Sequence, residues 1–207
     1  MSLPVESHDA VVAATRHWLT EAVIGLNLCP FAKAVHVKGQ IRYVVSDAVD
    51  MEGVLTDLEA ELQTLVAADP AAVDTTLLIL PRALGDFLDF NDCVFFADRL
   101  IKQLRLEGIV QIASFHPCYQ FEGSEPDDIE NYTNRAPYPI LHLLREDSIE
   151  RAVQAFPDAE AIYERNQATL RRIGLAGWDE LMKRGRSFGS ASLKQNQAAT
   201  KKRSFNS

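Results

Sequence analysis

The segment "SFHPCYQFEG" (114–123) sets a histidine and a cysteine on either side of Pro117, directly after an apolar run. The residue before a proline is pushed towards extended geometry, so His116 and Cys118, two apart, can present their side chains to one side of the chain. Cys29 also precedes a proline, in "NLCPFAK", where a helix must stop. A neighbouring imidazole favours the thiolate, the form that attacks carbon centres and binds metal. These residue types leave three chemistries open. In one, Cys118 or Cys29 is a nucleophile and His116 its base. In the second, Cys29, His116 and Cys118 hold zinc or iron, two sulfurs and an imidazole leaving one coordination position open. In the third, Cys29 and Cys118 cycle between dithiol and disulfide, which requires their Cα atoms to lie within about 7 Å. Neither a C-x-x-C nor an H-E-x-x-H spacing supports the last two.

The remaining candidates are weighed against ordinary burial. Cys93 sits inside a helical pattern near Phe96 and reads as core. His142 alternates with Ile140 and Leu144 in "PILHLLRE" and reads as a hydrogen-bonded core histidine. His8, His17 and His36 read as helix surface or loop. Arg82 and Arg135 carry forks that grip carboxylates or phosphates at two points. Gathered at one edge of an acidic protein, they imply an anionic small molecule, with Tyr119, Asn134 and Tyr138 as hydrogen-bonding substrate contacts. Pairing with Glu122, Asp127 or Asp128 is the plainer alternative.

The elements that must position these residues alternate between helix and strand periods. Ser7 can cap a helix with apolar positions Val11, Ala14, Trp18 and Ala22 that ends before Pro30. Strands are expected at 40–46, 74–81, 109–115 and 139–146, and helices at 49–68, from about Asn91 to Gly108, near 147–155 and at 158–173. Ser124 and Pro126 can begin a helical turn in the acidic segment "SEPDDIENYTN". Helices between the first three strands imply crossover connections and parallel neighbours. The expected fold is therefore α/β, a small parallel or mixed sheet of about four strands covered by helices, in one domain. With strand four antiparallel to strand three, Arg82, His116, Cys118, Tyr119, Arg135 and Tyr138 collect at one edge, beyond the carboxyl ends of the parallel strands where open sheets bind ligands.

Composition narrows the setting. The chain has 207 residues, 47% of them hydrophobic and 24% charged, enough for one domain with a substantial core. No apolar run is long enough to span a bilayer and "MSLPVESHDA" lacks the features of a signal peptide, so a cytoplasmic protein with reduced thiols is expected. Seven of the 21 Lys/Arg and none of the 29 Asp/Glu fall in residues 183–207, so the net charge of −8 divides into −15 for residues 1–182 and +7 for the tail. A body this acidic repels phosphate backbones, and nucleic acid is excluded as a partner of the folded part. The tail, rich in Ser, Gln, Asn and Lys, is expected to be disordered, leaving residues 1–182 as the single domain. Phosphate-cradling glycine loops, G-x-S-x-G elbows and dinucleotide fingerprints are absent.

The stretches "GLNLCPFAK" (25–33), "FHPCYQFEG" (115–123) and "ENYTNRAPYPILHLLRE" (130–146) resemble the signatures of an uncharacterised bacterial domain-of-unknown-function family, over most of residues 8–173. The resemblance implies no activity, substrate or catalytic residue. The residues themselves point to an enzyme acting on an anionic small molecule through a Cys/His site. A zinc- or iron-binding protein is one alternative. The other is a non-catalytic interaction module whose recognition surface is Pro117, Tyr119, Phe121, Pro137 and Tyr138.

Overall fold

The computed structural model describes residues 6–154 and 161–203, with side chains described as far as Lys183. Four strands, β1 (Ile41–Val45), β2 (Thr75–Ile79), β3 (Val110–Phe115) and β4 (Ile140–Arg145), form one mixed sheet in the order β1-β2-β4-β3. β1 and β2 are parallel, while β4 runs antiparallel to both β2 and β3. The expected α/β architecture is the one observed. Ile79 and Phe115 both pair with Ile140, so the ends of β2 and β3 and the start of β4 do share one edge.

The crossover helices α3 (Met51–Ala67) and α4 (Phe87–Gln103) connect β1 to β2 and β2 to β3. Both crossovers step the same way across the sheet, and with one hand of crossover that places both helices on the same face. Their apolar stripes, Val54, Leu58, Leu62 and Leu65 on α3 and Phe90, Cys93, Ala97 and Ile101 on α4, bury Leu78, Leu80, Leu141 and Leu143 of the sheet. Asp50 and Asp86 cap these helices through side-chain bonds to Gly53 N–H and to Leu88 and Asp89 N–H. The Asp86 cap starts α4 four residues before the apolar period becomes visible in the sequence.

No crossover remains to cover the opposite face. The chain ends do so instead. Helix α1 (His8–His17), capped by Ser7 as expected, continues without a break into a π-helical segment, Trp18–Ile24. A short helix α2 (Ala32–Val37) follows Pro30. From the other terminus come α5 (Glu146–Gln154) and α6 (Ala161–Arg203), the latter broken at Gly174, whose φ of 61° interrupts the helix. Val11, Trp18, Leu19, Ala22 and Val23 pack with Leu170 and Trp178 over Leu77, Ile79 and Ile140. That packing covers the half of the face nearest the ends of β2 and β3. The half nearest the beginnings of β1 and β2 is left to α2 and α5.

Helix α6 runs on through residues expected as a disordered tail; its side chains beyond Lys183 and residues 204–207 lie outside the described residues. No helix among the described residues is long and apolar enough to cross a membrane.

Candidate functional site

The edge expected to carry the chemistry is a set of polar groups satisfied by the backbone. His116 is fully buried. Its Nδ1 accepts from Cys118 N–H at 3.0 Å, which leaves the proton on Nε2 to be donated to the Leu84 carbonyl at 3.1 Å. Both nitrogens are spent, and the ring lies against Phe87 and Phe90 at centroid distances of 5.3 and 5.1 Å. Burial holds its pKa below the ordinary histidine value. Leu84, with φ of 56°, sits in a left-handed conformation unusual for a leucine, and the imidazole bond fixes that turn. His116, expected as base or metal ligand, braces two loops in this structure.

The neighbouring residues are used in the same way. Asn134 Nδ2 donates to the Ser114 carbonyl and Trp18 Nε1 to the Arg135 carbonyl. The Arg135 guanidinium donates to the carbonyls of Tyr119 and Pro126 and stacks 4.2 Å over the Tyr132 ring. Asn131, fully buried, receives Phe121 N–H and Ser124 Oγ–H on its carbonyl oxygen and donates to the Glu125 carbonyl. Tyr138 donates to Glu6, and Tyr119 packs between Phe87 and Phe121. Arg82 stands apart, 3.8 Å from Asp47. Arg135 and Asn134 thus hold the connection between β3 and β4, where the sequence reading had them holding substrate.

The cysteines differ in their surroundings. Cys118 is exposed, Cys93 is buried in the core with its thiol pushed up to about 11 by desolvation, and Cys29 is half-buried against the opposite face of the sheet from Phe90. Among the described residues, no three His, Cys, Asp or Glu side chains gather as a metal ion requires. The trio Cys29, His116 and Cys118 expected to hold zinc or iron is not assembled.

The feature that sequence reasoning missed lies where the covering of the sheet is thin. A cavity of about 730 Å³ opens over the face between α2, the π-helical segment and α5. Its floor is Ile41, Thr75, Leu77, Ala113, Phe115, His142 and Leu144, and its walls include Trp18, Leu19, Val23, Cys29 and Pro30. Alternation puts these floor residues on one side of the sheet. A π-helical run widens the helix locally and recurs at functional sites; here it supplies Trp18, Leu19 and Val23 to the wall.

His142 is the polar group of that floor. Its Nε2 lies 2.7 Å from Thr75 Oγ, and the same oxygen lies 2.6 Å from the Leu143 carbonyl. Two acceptors cannot approach so closely without a proton between them. The single hydroxyl proton must therefore go to Leu143, and Thr75 must accept from Nε2–H. Nδ1 is left with its lone pair and without a hydrogen-bond partner among the described residues, and it is not among the sealed polar atoms. Desolvation holds the ring neutral, with its pKa lowered to about 4. The expected hydrogen bond is there, but the residue lines a cavity instead of lying in solid core. The alternation in "PILHLLRE" correctly gave its face; the missing covering helix was not legible.

Cys29 enters the same cavity because Pro30 ends the helical run before it. Burial raises its thiol pKa above the ordinary value, against a weaker pull downward from the Phe31 and Ala32 amides.

Residues 10–180 match the family described as "Protein of unknown function (DUF1415)". The chain belongs to that family. No curated protein and no solved structure matches it. Two of the stretches that carried the resemblance, 115–123 and 130–146, build the braced connection and strand β4 of this DUF1415 protein, and the third, 25–33, builds a wall of its cavity.

Proposed function

We propose that the protein binds a small, largely apolar molecule in the cavity above Ile41, Thr75, Leu77, Ala113 and Leu144. The observation that carries this reading is an apolar cavity of about 730 Å³ lined by His142, whose Nδ1 has no hydrogen-bond partner among the described residues. That volume is within the usual range for small-molecule sites, about 300–1,000 Å³, and few convergent polar groups in apolar walls is their usual chemistry.

Binding is favoured over resting thiol catalysis by the direction of both shifts. Burial raises the Cys29 thiol and lowers the His142 imidazole, so moving a proton from the first to the second runs uphill on both counts. No thiolate–imidazolium pair stands ready. An enzyme using Cys29 remains the second reading, favoured by Cys29 and His142 lining one cavity; it requires the bound molecule itself to make the sulfur more acidic. Cys29→Ser would then keep binding and lose turnover.

The test uses Trp18, which lines the cavity, as its own reporter. Titrating the full chain with decanol should shift the tryptophan fluorescence saturably, and Ala113→Phe, which fills the floor, should remove the shift while keeping the circular dichroism. No saturable shift in the native protein, or an undiminished one in the folded variant, refutes the reading.

A further inference from the structure

We propose that the cavity takes an amphipathic carboxylic acid, its carboxylate met by Lys38 and Arg151 and its hydrocarbon body lying along the sheet face towards His142 and Cys29. This rests on the cavity being the ligand site.

The polarity of the lining is one-sided. The ionised side chains around the cavity are Lys38, Asp74, Arg145 and Arg151, three cations and one anion in a chain where 21 Lys/Arg face 29 Asp/Glu. They cluster at the end where β1 and β2 begin. Lys38 ends α2 just ahead of β1, Asp74 precedes β2, and Arg151 lies on α5 directly after β4. Because β1 and β4 flank β2, the end of α2 that carries Lys38 and the helix α5 that carries Arg151 join the sheet on either side of the start of the central strand.

How these charges are already spent sets the ligand's charge. Arg145 donates from Nε and Nη2 to the carbonyls of Leu65, Ala68 and Val73 and has no carboxylate partner, so it is held in the wall as an added positive charge. Arg151 donates from Nη2 to Ser148 Oγ, whose own proton goes to Asp74. The Lys38 ammonium is exposed and makes no hydrogen bond or ion pair among the described residues. Lys38 and Arg151 therefore keep donors unspent, while Asp74 beside them opposes a second negative charge. That arrangement suits a monoanion better than a dianionic phosphate.

The body is sized by the floor. From the level of Thr75 and Leu144, past Leu77, His142 and Ala113, to Phe115, the sheet advances about four residues, roughly 13 Å at strand rise. A medium-length acyl chain spans that distance, and its far end reaches the wall that holds Trp18 and Cys29.

The experiment is calorimetric titration of the full chain with decanoate, decanol and decyl phosphate, in the native protein, in Lys38→Ala/Arg151→Ala, and in Ala113→Phe. Decanoate should bind at least tenfold tighter than decanol. The double substitution should bring decanoate to the level of decanol, since both side chains are exposed and their loss leaves the fold intact. Equal affinity for decanoate and decanol, or decanoate binding unchanged in the double variant, overturns the carboxylate assignment while leaving the cavity as a binding site if Ala113→Phe still abolishes both. Tighter binding of decyl phosphate than of decanoate overturns it in favour of a phosphate. Failure of every ligand to bind the native protein overturns the cavity reading itself.

Discussion

Lowering the pH should destabilise the protein through His142, and the size of the effect follows from its surroundings. The ring packs near Phe115 at 6.1 Å and bonds to Thr75, with Leu77 and Ala113 beside it on the floor and Asp74 further along the same cavity wall. No carboxylate touches it to favour the imidazolium, so desolvation alone lowers its pKa from 6.5 to about 4. A histidine whose folded pKa lies below its unfolded one makes the unfolded state the better proton binder across the interval between them. Stability is then whole above about pH 6.5 and declines as the pH falls towards 4. Linkage gives a loss of about 2 kcal/mol between pH 7.5 and 5, and about 3 kcal/mol by pH 4. These are upper bounds, since water entering the cavity hydrates the imidazolium. His116 is shifted in the same direction, so the effect is isolated by difference. Urea unfolding of native protein and His142→Gln, whose amide can still donate to Thr75, should give curves whose stability gap narrows or reverses by that amount from pH 7.5 to 5. A constant gap, or an NMR titration of His142 centred near 6.5, would refute the placement of this ring in an apolar cavity.

Other consequences are as specific. Asn131→Ala removes the acceptor of Phe121 N–H and Ser124 Oγ–H and the donor to the Glu125 carbonyl, and should cost about 3 kcal/mol in chemical denaturation; a loss under about 1 kcal/mol would show that the connection does not depend on it. Alkylation followed by mass spectrometry should modify Cys118 first, Cys29 more slowly, and Cys93, whose thiol is held up to about 11 and buried, only on unfolding; Cys93 reacting as fast as Cys118 contradicts its burial. Nitrogen-15 NMR should find His142 as the Nε2–H tautomer, and Thr75→Val should release that preference; an Nδ1–H ring in the native protein reverses the proton assignment.

Much of the fold was legible because strands and helices leave periods that survive without tertiary context. "DTTLLILP" reads as a strand covered on both faces, and every residue of β2 is indeed buried. The antiparallel return of β4 was a supposition about topology; the structure has it, and with it the shared edge. What the side chains of that edge bond to was not legible, for a reason local to the residues. His116, Asn134 and Arg135 are the types that catalyse or bind, but in and around the long connection between β3 and β4 their side chains bond backbone groups that the local turns leave over. The cavity was illegible because it depends on what fails to cover the sheet. Two crossovers on one face oblige the chain ends to cover the other, and α2, hidden behind Pro30 and only six residues long, is too short to fill the space. Cys29 lies at the expected corner after a helix stop, and the histidine that shares its cavity is His142.

The measurement that meets the central claim most directly is a backbone and indole NMR titration with decanoate. Saturable shifts at Ile41, Thr75, Ala113 and Leu144 and at the Trp18 indole, with His116, Asn131 and Asn134 still, are the expected result. Shifts confined to residues 116–138, or none at saturating ligand, would contradict it.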